Sequence, residues 1–150
     1  MGKTIDMQFM RYINLFERIS QIATNDCFVY NNTIYFAVKP AFMSKAVGKN
    51  GANVREISET LRKRVRVISM PAIEKFDAGS LEEKNKILKN FILEVVSPID
   101  FTTLDYTDNI VSISGSREQK AMMIGRDRSK QIELQEVLSR TFGVKELKFV

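Results

Sequence analysis

Two short basic loops are the segments of this chain whose residue types could do chemistry. The first is Gly48-Lys49-Asn50-Gly51. Two missing side chains allow a nucleic-acid backbone to approach the peptide, where a lysine and the free amides of a helix start can meet phosphates. The second is Gly125-Arg126-Asp127-Arg128. It keeps the leading glycine and a basic residue after it, but places a carboxylate and an arginine where the first loop has Asn50 and Gly51. The first loop is read as the closer grip. Lys49 supplies a mobile charge, Asn50 hydrogen-bonds sugar or phosphate without fixing sequence, and Gly51 opens a helix whose unpaired amides are partly positive. Lys45 and Arg55 lie within about a helical turn and are included in the site. For the second loop two readings stand. Either it has lost phosphate clamping and the segment is scaffold, or Arg126, Arg128 and Lys130 replace backbone proximity with side-chain charge; arginine's bidentate bonding of phosphate favours the latter.

The charge distribution marks the same places. The 150 residues carry 23 Lys plus Arg against 18 Asp plus Glu, a formal net charge of +5, which favours an anionic partner. Between Lys39 and Arg66 there are eight basic residues against two acidic, Glu74 to Ile113 reverses to eight acidic against four basic, and Arg117 to Lys130 returns to five basic against two. Each basic block contains one loop. Arg62, Lys63, Arg64 and Arg66 could form a separate basic surface.

Other chemistries find little support. There is no histidine and Cys27 is the only cysteine, so no internal disulfide forms and the usual zinc ligands are nearly absent. No nucleophile and base pair assembles, and no Gly-x-x-x-x-Gly-Lys phosphate loop occurs. The chain is read as a non-enzyme with no cofactor and no metal. With 44% hydrophobic residues it can bury a core. With no apolar run of membrane length and no signal core it is expected to be cytoplasmic.

The elements that must hold the loops follow from periodicity. Ile5, Phe9, Ile13, Phe16 and Ile19 predict an amphipathic helix from about Thr4 to Ala23, ended by Asn25-Asp26. Cys27 to Tyr30 and Thr33 to Lys39 predict a strand pair around Asn31-Asn32, with Ile34, Phe36 and Val38 alternating onto one face. A short helix from Ala41 to Val47 leads into the loop, a helix through Val54, Ile57 and Leu61 follows, and Val65, Val67 and Ile68 form a strand. The order then recurs. Ser80 and Glu83 fit a capping box that opens a helix with Leu81, Leu88, Phe91 and Val95 on its stripe. Strands are expected at Phe101 to Tyr106 and Ile110 to Ser114, then a short helix at Ala121 to Ile124, the second loop, a helix through Leu134, Val137 and Leu138, and a strand from Val144 to Val150.

A constant offset of 77 residues tests the repeat. It pairs Asn32 with Asn109, Val47 with Ile124, Gly48 with Gly125, Lys49 with Arg126, Glu56 with Glu133 and Leu61 with Leu138, with no gap. The chain is read as an internal duplication, residues 1–71 with the intact loop and residues 72–150 with the altered one. Pro71 and Gly79 mark the boundary region.

A strand, a short helix ending in Val47, Gly-Lys-Asn-Gly and a helix through Val54 and Ile57 resemble the K-homology (KH) signature of RNA- and single-strand-binding modules. The leading helix and strand pair resemble its type II arrangement, and two such modules across the whole chain resemble the tandem KH portion of NusA, above all in its short archaeal forms. The resemblance implies an α+β fold of two tandem type II KH modules, each with helices packed on one face of a three-stranded mixed sheet. It implies single-stranded RNA as partner and a role in transcription elongation and termination. The alternative is an interaction scaffold on RNA polymerase or the ribosome, with RNA contact secondary. By position, Ala46, Val47, Val54 and Ile68 either line the groove in which KH modules hold about four nucleotides or are ordinary core.

Overall fold

The computed structural model describes residues 7–24 and 26–150. The expected helix start at Thr4, the stripe position Ile5 and the break at Asn25 lie outside these residues. The chain divides between Met70 and Pro71 into two compact units.

In the first unit, α1 (Met7–Ser20) precedes the antiparallel strands β1 (Asp26–Tyr30) and β2 (Thr33–Val38). A single turn at Pro40–Phe42 leads into α2 (Met43–Val47), the loop turn Lys49–Gly51, α3 (Ala52–Leu61) and β3 (Arg64–Ser69). The sheet order is β1-β2-β3, and β3 runs parallel to β2 with Ile34 opposite Val65. A parallel return needs a crossover, and the two helices with the loop between them supply it. The loop is therefore fixed at the tip of a helix pair held at both ends by the sheet.

Ile34, Phe36 and Val38 do share one face, and the helices bury against it. Their core takes in Tyr12, Leu15 and Phe16 of α1, Ala46 of α2 and Ile57 of α3. Phe16 stacks on Phe36 with centroids 4.4 Å apart. Phe9, Ile13 and Ile19, expected on the buried stripe, sit at its margin and are only half-buried. The helix also stops earlier than its apolar period suggests, because Gln21 takes a left-handed φ of 64°. The alternation in β2 is not apolar against exposed, since all six of its residues are buried. On the far face Phe28 stacks on Tyr35 at 4.9 Å, with Tyr30 edge-on to Tyr35 at 6.3 Å.

The second unit repeats the plan. α5 (Leu81–Val96) is followed by the antiparallel pair β4 (Thr103–Thr107) and β5 (Ile110–Ser114), then α6 (Arg117–Ile124), the turn Arg126–Arg128, α7 (Ser129–Phe142) and β6 (Glu146–Phe149), parallel to β5. Of the capping box expected at α5, the serine half is present: Ser80 accepts the Glu83 amide at 3.2 Å. Leu81, at the first helical position, is 51% exposed and leaves the stripe to Leu88, Phe91, Ile92 and Val95. The first strand begins at Thr103 rather than Phe101, whose ring is buried outside the sheet, and the last is shorter than Val144 to Val150. Ahead of α5 an additional helix, α4 (Ile73–Ala78), packs Phe76 against Tyr106 and Phe142 at centroid distances of 5.6 and 4.9 Å. The result is α+β, two three-stranded mixed sheets each packed with helices. Among the described residues no helix is long and apolar enough to cross a membrane.

Candidate nucleic-acid interface

The first loop is shaped by three left-handed residues. Gly48 has φ 83° and ψ 165°, Asn50 φ 55° and ψ 29°, Gly51 φ 74° and ψ 19°. The Gly51 amide donates to the Gly48 carbonyl at 3.0 Å, and the Gly48 amide to the Ser44 carbonyl at 3.0 Å, which closes α2. The two glycines are needed for different reasons. A Cβ at Gly48 would stand 2.9 Å from the Asn53 amide nitrogen, whereas one at Gly51 would meet nothing within 4 Å. Gly48 lets the loop fold back on α3. Gly51 takes its conformation cheaply and leaves the approach to the helix start open.

That start is available to an anion. Gly51 is the N-cap of α3 and brings no capping side chain; the Ala52 amide donates to the Lys49 carbonyl, and the positive end of the ten-residue helix lies beside the loop. Lys45, Lys49, Asn50 and Arg55 are all exposed around it. Arg55 turns a guanidinium nitrogen to the Asn50 carbonyl at 3.4 Å, and the Asn53 amide group donates to the Lys45 carbonyl at 3.1 Å, tying α2 to α3. All six first-loop candidates therefore gather at one helix junction.

Of the four apolar candidates for a groove, two are core. Ala46 and Ile68 are fully buried, while Val47 and Val54 are half-buried beside the loop. Ile68 is opposite Ala37 in the parallel register. That places it on the far face of the sheet with Tyr35, away from the helices, because alternate strand residues point to opposite faces. Of the more distant cations, Arg66 shares this far face, with its guanidinium 5.4 Å from the Tyr35 ring centroid and a bond to the Tyr35 hydroxyl at 3.3 Å. Burial raises the Tyr35 pKa above its usual value, against the lowering effect of Arg66.

The second loop keeps the backbone of the first. Gly125 has φ 75° and ψ 176°, Asp127 φ 55° and ψ 31°, Arg128 φ 62° and ψ 19°. Replacing the second glycine has not altered the turn. Arg128 adopts the left-handed conformation at a residue type for which it costs roughly 1 kcal/mol or more, and its side chain projects where the first loop leaves space. Arg126, Asp127 and Arg128 are exposed, and Lys130 is half-buried, with its stem 2.8 Å from where a Gly125 Cβ would be. The surroundings have changed as well. Where the first unit has Lys45 and Arg55, the 77-residue offset places Met122 and Ile132, 48% and 60% exposed.

α6 begins at Arg117, earlier than the expected Ala121, behind a capping box in which Ser116 and Gln119 bond each other's backbone amides. Ser116 with glutamine three residues on is a readable start signal. Among the described residues no cluster of three or more His, Cys, Asp or Glu side chains is placed to hold a metal ion.

Comparison with known proteins agrees with this architecture. Residues 10–78 match the family model for the KH domain. Over 147 residues, 98% of this chain and 98% of the relative, the sequence is 25% identical to a probable transcription termination protein NusA of Halococcus morrhuae. The crystal structure of APE1850 shares the fold with a TM-score of 0.60, covering 97% of this chain and 100% of that one at 23% identity. Residues 10–78 are thus similar to KH domains, and nearly the whole chain is similar to a NusA relative.

Proposed function

We propose that this protein binds single-stranded RNA through its two loop-bearing modules, residues 1–71 and 72–150, as a transcription factor of the NusA type acting in elongation or termination. The observation that carries the reading is the junction at Gly48–Gly51, where an uncapped helix start, an open backbone and three exposed cations, Lys45, Lys49 and Arg55, meet. A phosphodiester strand is the ligand that uses all three at once. Lys49 and Asn50 contact phosphate and sugar, Gly48 and Gly51 admit the backbone, and Lys45 and Arg55 flank it. Arg55 is held toward the loop by its bond to the Asn50 carbonyl and keeps further donors for phosphate. In the second module Arg126, Arg128 and Lys130 carry the contact through side-chain charge. The transcription role rests on the likeness to the NusA relative along nearly the whole chain.

The test is binding of fluorescent single-stranded RNA to the full chain. Lys49→Asp with Asn50→Asp should weaken binding by roughly tenfold or more, the worth of one charge-assisted bond, with an unchanged circular dichroism spectrum. If three phosphates are neutralised, log affinity should fall by roughly 2 per log unit of salt. Unchanged affinity in the double variant refutes the site. A flat salt response favours docking on RNA polymerase or the ribosome instead.

A further inference from the structure

The strand beside the second loop differs from its counterpart in the first unit. β6 is an edge strand, paired only with β5, and such a strand ordinarily turns unpaired amides and carbonyls outward. At Leu147 both groups are taken. Gln131 donates its side-chain amide to the Leu147 carbonyl at 3.0 Å, and the Leu147 amide donates to the Gln135 side-chain oxygen at 3.1 Å. The two glutamines lie one turn apart on α7, so their carboxamides reach the same strand residue. Both also line an open cleft of about 490 Å³ that runs from Arg128 of the loop past Ile132 and the carboxylate of Glu136 to Arg140 and Lys145, three cations against one anion.

An RNA strand gripped at Arg126 and Arg128 would lay its bases along this cleft. An adjacent backbone donor and acceptor is a pattern to which a base edge can hydrogen-bond. Here the pattern is already filled by side chains carrying the same donor and acceptor set. The first unit is built otherwise. Val65 stands opposite Ile34 as Leu147 stands opposite Val111, and the positions 77 residues before the two glutamines are Val54 and Ser58. The Val54 side chain has no hydrogen-bonding group, and Ser58 donates its hydroxyl to the Lys63 carbonyl at 2.6 Å.

We propose that Gln131 and Gln135 are specificity-determining residues that latch the β6 edge shut, so that the second module holds RNA by its phosphates without discriminating bases. This rests on the RNA-binding reading above. Its effect is a division of labour: base discrimination belongs to the first module and sequence-independent grip to the second.

The test uses the full chain with Lys49→Asp and Asn50→Asp, so that the second module dominates binding to short oligo(A), oligo(C) and oligo(U). The three affinities should agree closely. Adding Gln131→Val and Gln135→Ser, the residues of the first unit, should open the edge and spread them by roughly tenfold, the worth of one or two net hydrogen bonds. A spread before opening, or none after it with native circular dichroism, overturns the proposal. Hydrogen exchange at the Leu147 amide provides an independent reading, including for the single variant Gln135→Ala if the double variant does not fold. Exchange should be slow in the native chain and roughly tenfold faster in that variant; an unchanged rate overturns the latch. If no form of the chain binds RNA, the function proposed above fails, and the exchange rate alone judges the latch.

Discussion

Alanine at Gly48 and alanine at Gly51 should have very different consequences, although both are loop glycines with positive φ. Gly48, at φ 83° and ψ 165°, occupies a region open essentially to glycine alone, where another residue costs about 1 to 3 kcal/mol. Its new Cβ would also stand 2.9 Å from both the backbone nitrogen and the Cγ of Asn53. The side chain can rotate away, giving up its bond to the Lys45 carbonyl, worth about 0.5 to 1 kcal/mol at an exposed site. The nitrogen belongs to the first turn of α3 and cannot move without it. The sum is about 3 kcal/mol. Gly51, at φ 74° and ψ 19°, is left-handed with open space where a Cβ would go, so Gly51→Ala costs only about 1 kcal/mol. For a domain of this size each kcal/mol moves Tm by about 4 to 8 °C. The first unit of Gly48→Ala should therefore melt roughly 15 °C lower, and that of Gly51→Ala roughly 5 °C lower. Thermal and urea unfolding followed by circular dichroism would measure both. Equal destabilisation by the two substitutions refutes the reasoning, because it would mean that the contact with Asn53 does not set the role of Gly48.

Arg128→Gly should stabilise the second unit by about 1 kcal/mol by relieving left-handed strain, while lowering the salt dependence of RNA binding by roughly 0.7 log units; urea unfolding and salt titration read the two effects. Ser80→Ala removes the acceptor for the Glu83 amide and should cost about 1 kcal/mol in the second unit, visible as a lower urea midpoint with an unchanged m-value. Burial raises the pKa of both Tyr35 and Tyr106 above 10.0, with Arg66 opposing the shift at Tyr35 and Asp77 adding to it at Tyr106. In each case the folded state holds its proton more tightly than the unfolded chain. The linked stability is thus fully present below pH 10 and lost as pH rises through the folded values. Unfolding titrations from pH 8 to 11 should show this decline, and Tyr35→Phe with Tyr106→Phe should flatten it.

The duplication was legible because its signals are local. Glycine at Gly48 and Gly125 is demanded by backbone geometry, and helical periods such as Val54, Ile57 and Leu61 survive without knowledge of the fold. What tertiary packing decides was not legible. α4 has six residues and no side-chain cap, so the stretch from Pro71 to Gly79 reads as a boundary. Only the burial of Phe76 against Tyr106 and Phe142 makes it an element. Ile68 looks like a groove residue until the parallel register turns it to the far face. In the second loop, Arg128 reads as a departure that removes the open backbone of the first, while the turn itself is kept, since its dihedral angles match those of Gly51. The latch left a faint signal, two glutamines four residues apart on a helix that precedes an edge strand, but that spacing is equally an exposed polar face.

Comparison of the two loops separates what the backbone requires from what the side chains choose. The left-handed residues recur with nearly the same angles, so the turn is a property of the fold that Asn50 and Asp127, or Gly51 and Arg128, satisfy equally in shape. The positive charge does not recur in place. Lys45 and Arg55 on the flanking helices give way to Met122 and Ile132, while Gly51 and Asn53 give way to Arg128 and Lys130. Charge has moved from the rim of the junction into the loop itself. A rim of cations around an open backbone suits a strand that comes close enough to meet helix amides. Cations within the loop stand the strand off and hold it by its charge. That difference agrees with the closed β6 edge. A strand held away from the backbone gains little from an open one, and the glutamines that close it tie α7 to the sheet.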